Sequence, residues 1–339
     1  MMNIFWDNIV GHKHNIDELR LLCSEDMVPH SMLFCGIDGI GKQMVAKAMA
    51  AVILCHSPHD GIPCGECASC KALLSDIHPD FFQLVPDETG SSPIIKIETI
   101  RDMQDKIARL PILSKQRVVI INDAQTMNEA AANCLLKTIE EPGGQIYFIL
   151  ITNSVMALLD TIISRCMRKD FAGLSREEVA MILSGKGVTG ERADYLAGFA
   201  DGSVYQAMLL NDETGMALQQ AAIRFFSACA EKRLDMEMVW TEGASLGRYE
   251  KKQLRQWFSF FIMVIRDQLI IYNGSDVPLY NQGDASRLTG YTGQLSQLQL
   301  MSLLKLAREY QGRLRFSVSP RLMMESFIIK AKDVCNGGI

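Results

Sequence analysis

The sequence predicts an α/β domain of parallel strands followed by an all-helical C-terminal region, and three stretches carry that prediction. The run Ser31-Met-Leu-Phe-Cys35 leads into the glycine-rich turn Gly36-Ile-Asp-Gly39-Ile-Gly41-Lys42-Gln43 and then into a helix-patterned run, Met44 to Leu54. Strand, glycine turn and helix in that order make an anion cradle, because glycines let backbone N–H groups converge at a helix N-terminus. Arg117 to Asn122 and Ile146 to Ile151 are nearly unbroken apolar runs, the pattern of strands buried on both faces of a parallel sheet. From about Asp212 onward apolar residues recur at helical spacing, as in Leu254, Trp257, Phe258, Phe261, Ile265 and Leu269.

Composition sets the outer bounds. A chain of 339 residues has room for two or three domains, and 48% hydrophobic with 22% charged residues excludes a disordered or fibrous protein. A net charge of -5 excludes a chain-wide basic nucleic-acid binder, leaving only local or shared contacts. Asp7 interrupts the apolar cluster Ile4-Phe5-Trp6, and no apolar run reaches the roughly 20 residues of a membrane span. A cytoplasmic protein without membrane contact is expected.

In chain order, Lys13 to Cys23 reads as a helix with Ile16, Leu19 and Leu22 on one face, closed by Pro29. After the cradle helix come Cys55, Cys64, Cys67 and Cys70. Short CxxC bites plus one upstream cysteine suit a tetrahedral structural Zn²⁺. A ferredoxin-type cluster would want a further cysteine soon after Cys70, where position 74 is Leu; unliganded thiols are the remaining alternative. Phe81 to Val85 reads as a short strand. Ile97 to Ile107 reads as a helix with Ile97, Ile100, Met103, Gln104 and Ile107 on one face, and Asn128 to Glu141 as another. Ser175 caps Arg176 to Leu183, with Glu177 and Glu178 in the first turn. Leu295 to Tyr310 and Pro320 to Val334 add two further helices.

The cradle departs from the phosphate-loop pattern where metal chemistry is concerned. That pattern ends in Ser or Thr, whose hydroxyl holds Mg²⁺, and this chain has Gln43. A strand such as 117–122 ordinarily ends in an Asp that anchors Mg²⁺, usually followed by a Glu that polarises water; here the pair is Asn122 and Asp123. Read one position later, Asp123 becomes the metal ligand, and Gln125 still leaves the site without an acidic base.

The run Asn133-Cys-Leu-Leu-Lys137 with Glu140-Glu141-Pro142 resembles the NxLLKxLEEP signature of bacterial clamp-loader subunits, a family of AAA+ proteins. Thr152-Asn153 stands where AAA+ proteins place the sensor 1 polar residue, and Ser164-Arg165-Cys166 matches the SRC motif of clamp loaders. The segment FWDNIVGHKHNIDEL with Val28-Pro29-His30 resembles the nucleotide-base entry, and the cysteine spacing is similar to that of the same family. The resemblance covers at least residues 4–210. It implies an AAA+ P-loop domain over 1–172 with a zinc knuckle at about 55–70, a small helical lid over 173–211 and a C-terminal all-α collar and oligomerisation domain over 212–339. Gly202 to Ala207 resembles the sensor 2 segment, with Tyr205 where the family's ATPase subunit has arginine. Together with Gln43 and Asn122, and a chain that ends at 339 without a proline-rich extension, this implies the family's degenerate-site subunit; the alternative is an ATP-hydrolysing gamma/tau-like motor. The implied nucleotide contacts are Gly36, Gly39, Gly41, Lys42, Gln43, Asn122, Asp123 and Asn153, with ATP or ADP held weakly and Mg²⁺ weakly or not at all. The implied role of Arg165 is an arginine finger reaching a neighbour's nucleotide. The implied partners are gamma/tau and delta subunits, with the sliding clamp and primed DNA met through the assembled complex.

Overall fold

The computed structural model describes residues 5–87, 93–141, 144–188, 190–275, 277, 279–314 and 319–337; Ile4 of the N-terminal cluster and Pro142 of the signature lie outside them. The chain divides into two compact units, Met1–Ile182 with Asp201–Tyr205, and Leu183–Ala200 with Gln206–Ile339. Residues 173–211 therefore fall on both sides of the division. No helix among the described residues is long and apolar enough to cross a membrane.

The first unit runs α1 (Lys13–Ser24), β1 (Ser31–Cys35), α2 (Lys42–Leu54), α3 (Ala68–Leu74), β2 (Phe81–Leu84), α4 (Ile97–Ile107), β3 (Arg117–Ile121), α5 (Glu129–Glu140), β4 (Ile146–Thr152), α6 (Asp160–Ile163), β5 (Met167–Asp170) and the start of α7 (Arg176–Gly185). Its five strands form one parallel sheet in the order β2-β3-β4-β1-β5. Every residue of β1, β3 and β4 is buried, as their apolar composition requires. Alternate residues Leu33, Val119, Ile121, Phe148 and Leu150 join Ile100, Met103 and Leu135 of α4 and α5 in one apolar cluster. The chain order reverses between β1 and β4, so a crevice opens beyond the carboxyl ends of β1, β3 and β4, where such sheets place ligands. The register pairs Cys35 with Thr152 and Ile121 with Leu150, bringing Gly36, Asn122 and Asn153 to that one edge.

Strand β5 was not predicted from the sequence. Three of its four residues, Arg168, Lys169 and Asp170, are charged, yet the strand alternates half-buried and exposed positions, as an edge strand does. Charge neutralisation holds it: Lys169 Nζ pairs with Glu18 at 2.5 Å, and Asn15 Nδ2 donates to the Asp170 carbonyl at 3.0 Å.

The second unit contains α8 (Glu191–Phe199), the body of α9 (Val204–Asn211), α10 (Glu213–Ala230), α11 (Met236–Leu246), α12 (Lys251–Tyr272), α13 (Ala285–Thr289), α14 (Gln297–Arg313) and α15 (Pro320–Cys335). The stripe read on 254–269 buries Leu254, Trp257, Phe258, Phe261 and Ile265 against Phe225 of α10 and Phe327 of α15. Trp257 stacks on Phe261 with centroids 5.4 Å apart, and Phe327 meets Phe258 edge-on at 5.0 Å. A fully buried carboxylate, Asp267, is satisfied by the backbone N–H of Tyr280 and by both N–H groups of Asn281, at 2.7–2.9 Å. Satisfied this way, a buried charge ties Tyr280 and Asn281 to α12.

Candidate nucleotide cradle and metal centre

The cradle takes its shape from glycine. Gly36, Gly39 and Gly41 all have positive φ, and Gly41 caps α2. At Gly39 a Cβ would stand 2.2 Å from the Tyr205 Cβ and 2.6 Å from its backbone nitrogen, so only glycine lets segment 203–205 lie on the loop. That segment is bonded down: Ser203 Oγ donates to the Asp38 carbonyl at 2.6 Å, and the Val204 N–H to the Gly39 carbonyl at 3.0 Å. His12, itself at φ 57, donates from Nε2 to the Ile40 carbonyl at 2.7 Å.

Lys42 is 5% exposed and its Nζ donates to the carbonyls of Gly36 and Ile37 at 2.5 and 2.6 Å. Burial lowers its pKa from the ordinary lysine value, opposed by the nearby Asp38 and Asp123 carboxylates. Asn153 lies directly on the cradle, its Nδ2 donating to Asp38 Oδ2 at 2.7 Å. Asn122 is buried at the end of β3, with its backbone N–H on the Leu84 carbonyl at 2.9 Å. Asp123 follows in a left-handed conformation; Gln125 Nε2 donates to its Oδ1 at 3.2 Å, and Gln125 Oε1 accepts from Thr152 at 2.9 Å. Gln43 is exposed in the first turn of α2. The expected residues thus border one edge of the sheet. The donor set fits a two-anchor Mg²⁺ site poorly: Gln43 offers an amide where the pattern has a hydroxyl, Asn122 offers an amide where it has a carboxylate, and Asp123 Oδ1 accepts from Gln125.

The four knuckle cysteines come together, all four Sγ atoms lying within 4.8 Å of one another. Cys55 to Cys67 is 4.0 Å and Cys64 to Cys70 is 3.9 Å. Sulfurs bound at about 2.3 Å round a tetrahedral ion stand about 3.8 Å apart, so the set can hold a metal such as zinc. Backbone N–H groups point at the sulfurs: Ser57 and Cys64 at Cys55, Cys67 at Cys64, and Cys70 at Cys67, at 3.3–3.4 Å. The N–H groups of Glu66 and Cys67 lower the Cys64 thiol to about 6, while burial raises Cys55. Four protein ligands leave no open position, which makes the site structural rather than catalytic. The N-terminal segment straps this knuckle. Buried Trp6 donates from Nε1 to the Gly61 carbonyl at 2.8 Å, and the Phe5 ring lies over Gly65, where a Cβ would meet it at 2.8 Å.

A buried relay leads away from the knuckle, and sequence reading missed it. Ser69, next to Cys70, donates to the Leu54 carbonyl at 2.7 Å and meets His78 Nε2 at 2.9 Å. His78 Nδ1 accepts the Asp80 backbone N–H at 3.0 Å, so Nε2 carries the proton. Asp80, 1% exposed, then accepts three successive backbone N–H groups, from Ile112, Leu113 and Ser114, at 2.7–2.8 Å. Burial alone would raise its carboxyl, but those bonds together hold it below the usual aspartate value. The loop so gripped displays Leu110 and Ile112, 86% and 79% exposed. The signal available in the sequence was the tripeptide His78-Pro79-Asp80, two ionisable groups at the threshold of strand β2. A cavity of about 390 Å³ beside the knuckle is lined by Cys55, His56, Lys115 and Tyr147 among others, and includes none of the cradle residues.

Arg165 stands apart from the cradle, in the turn after α6. Its Nη2 pairs with Glu140 Oε1 at 2.5 Å, and its Nη1 donates to the Thr161 carbonyl at 3.0 Å. Both side chains are partly exposed, at 39% and 45%.

Residues 11–175 match the family described as DNA polymerase III, delta subunit. The chain is similar to the DNA polymerase III subunit delta' of Pseudomonas aeruginosa, at 34% identity over 67% of this chain and 62% of that one. It is also similar to subunit delta' of Bacillus subtilis, at 27% identity over 91% of this chain and 92% of that one. Subunit tau of Bacillus subtilis matches at 31% identity over 61% of this chain but only 37% of its own length. The chain thus spans less than two thirds of the Pseudomonas and tau relatives, and nearly all of the Bacillus delta'.

Proposed function

Starting from a chain that is a relative of the DNA polymerase III delta-prime clamp-loader subunits, we propose that it serves as a delta-prime subunit: a largely non-hydrolysing stator that assembles with gamma/tau and delta and helps load the sliding clamp onto primed DNA. The observation that carries this reading is the pairing of a formed cradle with two neutral amides, Gln43 and Asn122, at the positions that ordinarily anchor the metal. Gly36, Gly39, Gly41 and Lys42 keep the loop's shape, while Gln43 and Asn122 supply no anionic anchor. The tether on Asp123 and the burial of Lys42 against carbonyls support the same conclusion. In this reading the four cysteines hold a structural zinc, residues 173–211 act as the lid, and residues 212–339 form the collar. Arg165 acts in trans, its guanidinium stabilising charge on the phosphoryl group bound by the next subunit.

The alternative, a gamma/tau-like motor, draws support from the match to tau and is separated by one measurement. The purified chain is expected to bind ATP or ADP weakly and to show no Mg²⁺-dependent hydrolysis. Steady hydrolysis free of contaminants would overturn the stator reading. Changing Gln43→Thr together with Asn122→Asp is expected to restore Mg²⁺ dependence to nucleotide binding, because it returns one hydroxyl and one carboxylate to the crevice.

A further inference from the structure

We infer that Glu140 is the positioning residue for Arg165, and this rests on the reading of Arg165 as a trans-acting finger. Glu140 is the last residue of α5 and Glu141 follows it, so two carboxylates stand at the negative end of the helix dipole, where acidic groups are disfavoured. Stability does not explain them: a pair as exposed as Glu140 with Arg165 contributes little to folding. What the pair does is geometric. The carboxylate takes Nη2 at 2.5 Å and the Thr161 carbonyl takes Nη1 at 3.0 Å, with Ser164 Oγ at 3.5 Å from the same Nη1. Two anchors on the two arms of a planar fork fix the plane of the guanidinium. A guanidinium has five N–H donors, so those not engaged by the anchors remain to meet an anionic oxygen. A long side chain held at both arms of its guanidinium has already lost part of the rotamer freedom that would otherwise be lost when it meets a phosphate.

The test is a reconstituted loader in which only this chain is altered, read by hydrolysis stimulated by primed DNA and clamp. Arg165→Ala is expected to lower kcat at the adjacent site strongly, toward the roughly 10³-fold loss of a missing finger. Glu140→Ala is expected to lower kcat by roughly threefold to tenfold with KM for ATP unchanged, because a misaimed group weakens the transition state without touching nucleotide binding. Glu140→Asp, which keeps the charge, is expected to recover part of the loss. In the Arg165→Ala background, Glu140→Ala is expected to add nothing. A fully active Glu140→Ala loader beside an impaired Arg165→Ala loader overturns the positioning role while leaving the finger intact. So does a Glu140→Ala loss that persists unchanged without Arg165. An unimpaired Arg165→Ala loader overturns the finger reading itself, and with it any role for Glu140.

Discussion

Lys42 donates to two carbonyls of its own loop, and the electrostatics of the cradle follow from that one side chain. Burial lowers its pKa, and the neighbouring Asp38 and Asp123 carboxylates oppose that lowering. Lys42→Met is therefore expected to abolish the weak ADP binding proposed above, which titration calorimetry would check; undiminished binding would mean that the backbone alone holds the phosphates. The shape of the cradle was legible from single residues, because Gly36, Gly39, Gly41 and Lys42 obey a spacing that backbone geometry imposes. What could not be read was the partner of each side chain. Asn153 is a sensor-like residue in sequence, but its bond to Asp38 depends on β1 and β4 being neighbours, and they lie more than a hundred residues apart in the chain. Glu140 was visible as part of a signature, whereas its contact with Arg165 is a tertiary fact.

Among the elements, the knuckle and residues 112–114 are linked by hydrogen bonds through Ser69, His78 and Asp80. Burial lowers the His78 pKa, so its neutral form belongs to the folded state; that contribution is present above about pH 6.5 and is lost as the pH falls through the lowered folded value. Asp80 is likewise lowered, so its contribution is present above about pH 4 and is lost as the pH falls through its folded value. Denaturation midpoints measured against pH are expected to fall in two stages. Asp80→Asn is expected to remove the lower stage and to cost about 2–3 kcal/mol at neutral pH, the scale of hydrogen bonds to a buried charge. A variant with the same acid profile as the parent would show that the three N–H bonds do not govern the loop. Chelation of a bound zinc is expected to raise amide exchange at 55–70 and then at 112–114, while β1, β3 and β4 stay protected; global melting instead would mean that the knuckle nucleates the whole domain. The buried strands were legible as apolar runs. Strand β5 and this relay were not, because a charged four-residue edge strand and a pair of polar side chains have no periodicity to announce them.

For the molecule as a whole, stability is divided between two differently built cores. The sheet core is built from buried strand runs, mostly aliphatic with Phe34 and Phe148 among them, and could be anticipated run by run, whereas the aromatic cluster of the second unit draws on α10, α12, α14 and α15 at once. A sequence stripe identifies each helix's inner face but not which faces meet. Phe327→Ala is expected to destabilise the protein by about 3–5 kcal/mol in chemical denaturation, since it empties the centre of that cluster. A loss under 1 kcal/mol would mean that the helices collapse to fill the gap. The chain's three tryptophans are distributed unequally over these cores: Trp6 lies in the first unit, while Trp240 and Trp257 lie in the second. With Trp240 and Trp257 replaced by phenylalanine, the remaining indole is the buried one whose Nε1 is bonded to the knuckle at Gly61. Its emission should shift to the red when the strap lets water reach the ring, giving an optical signal of metal loss that needs no added label.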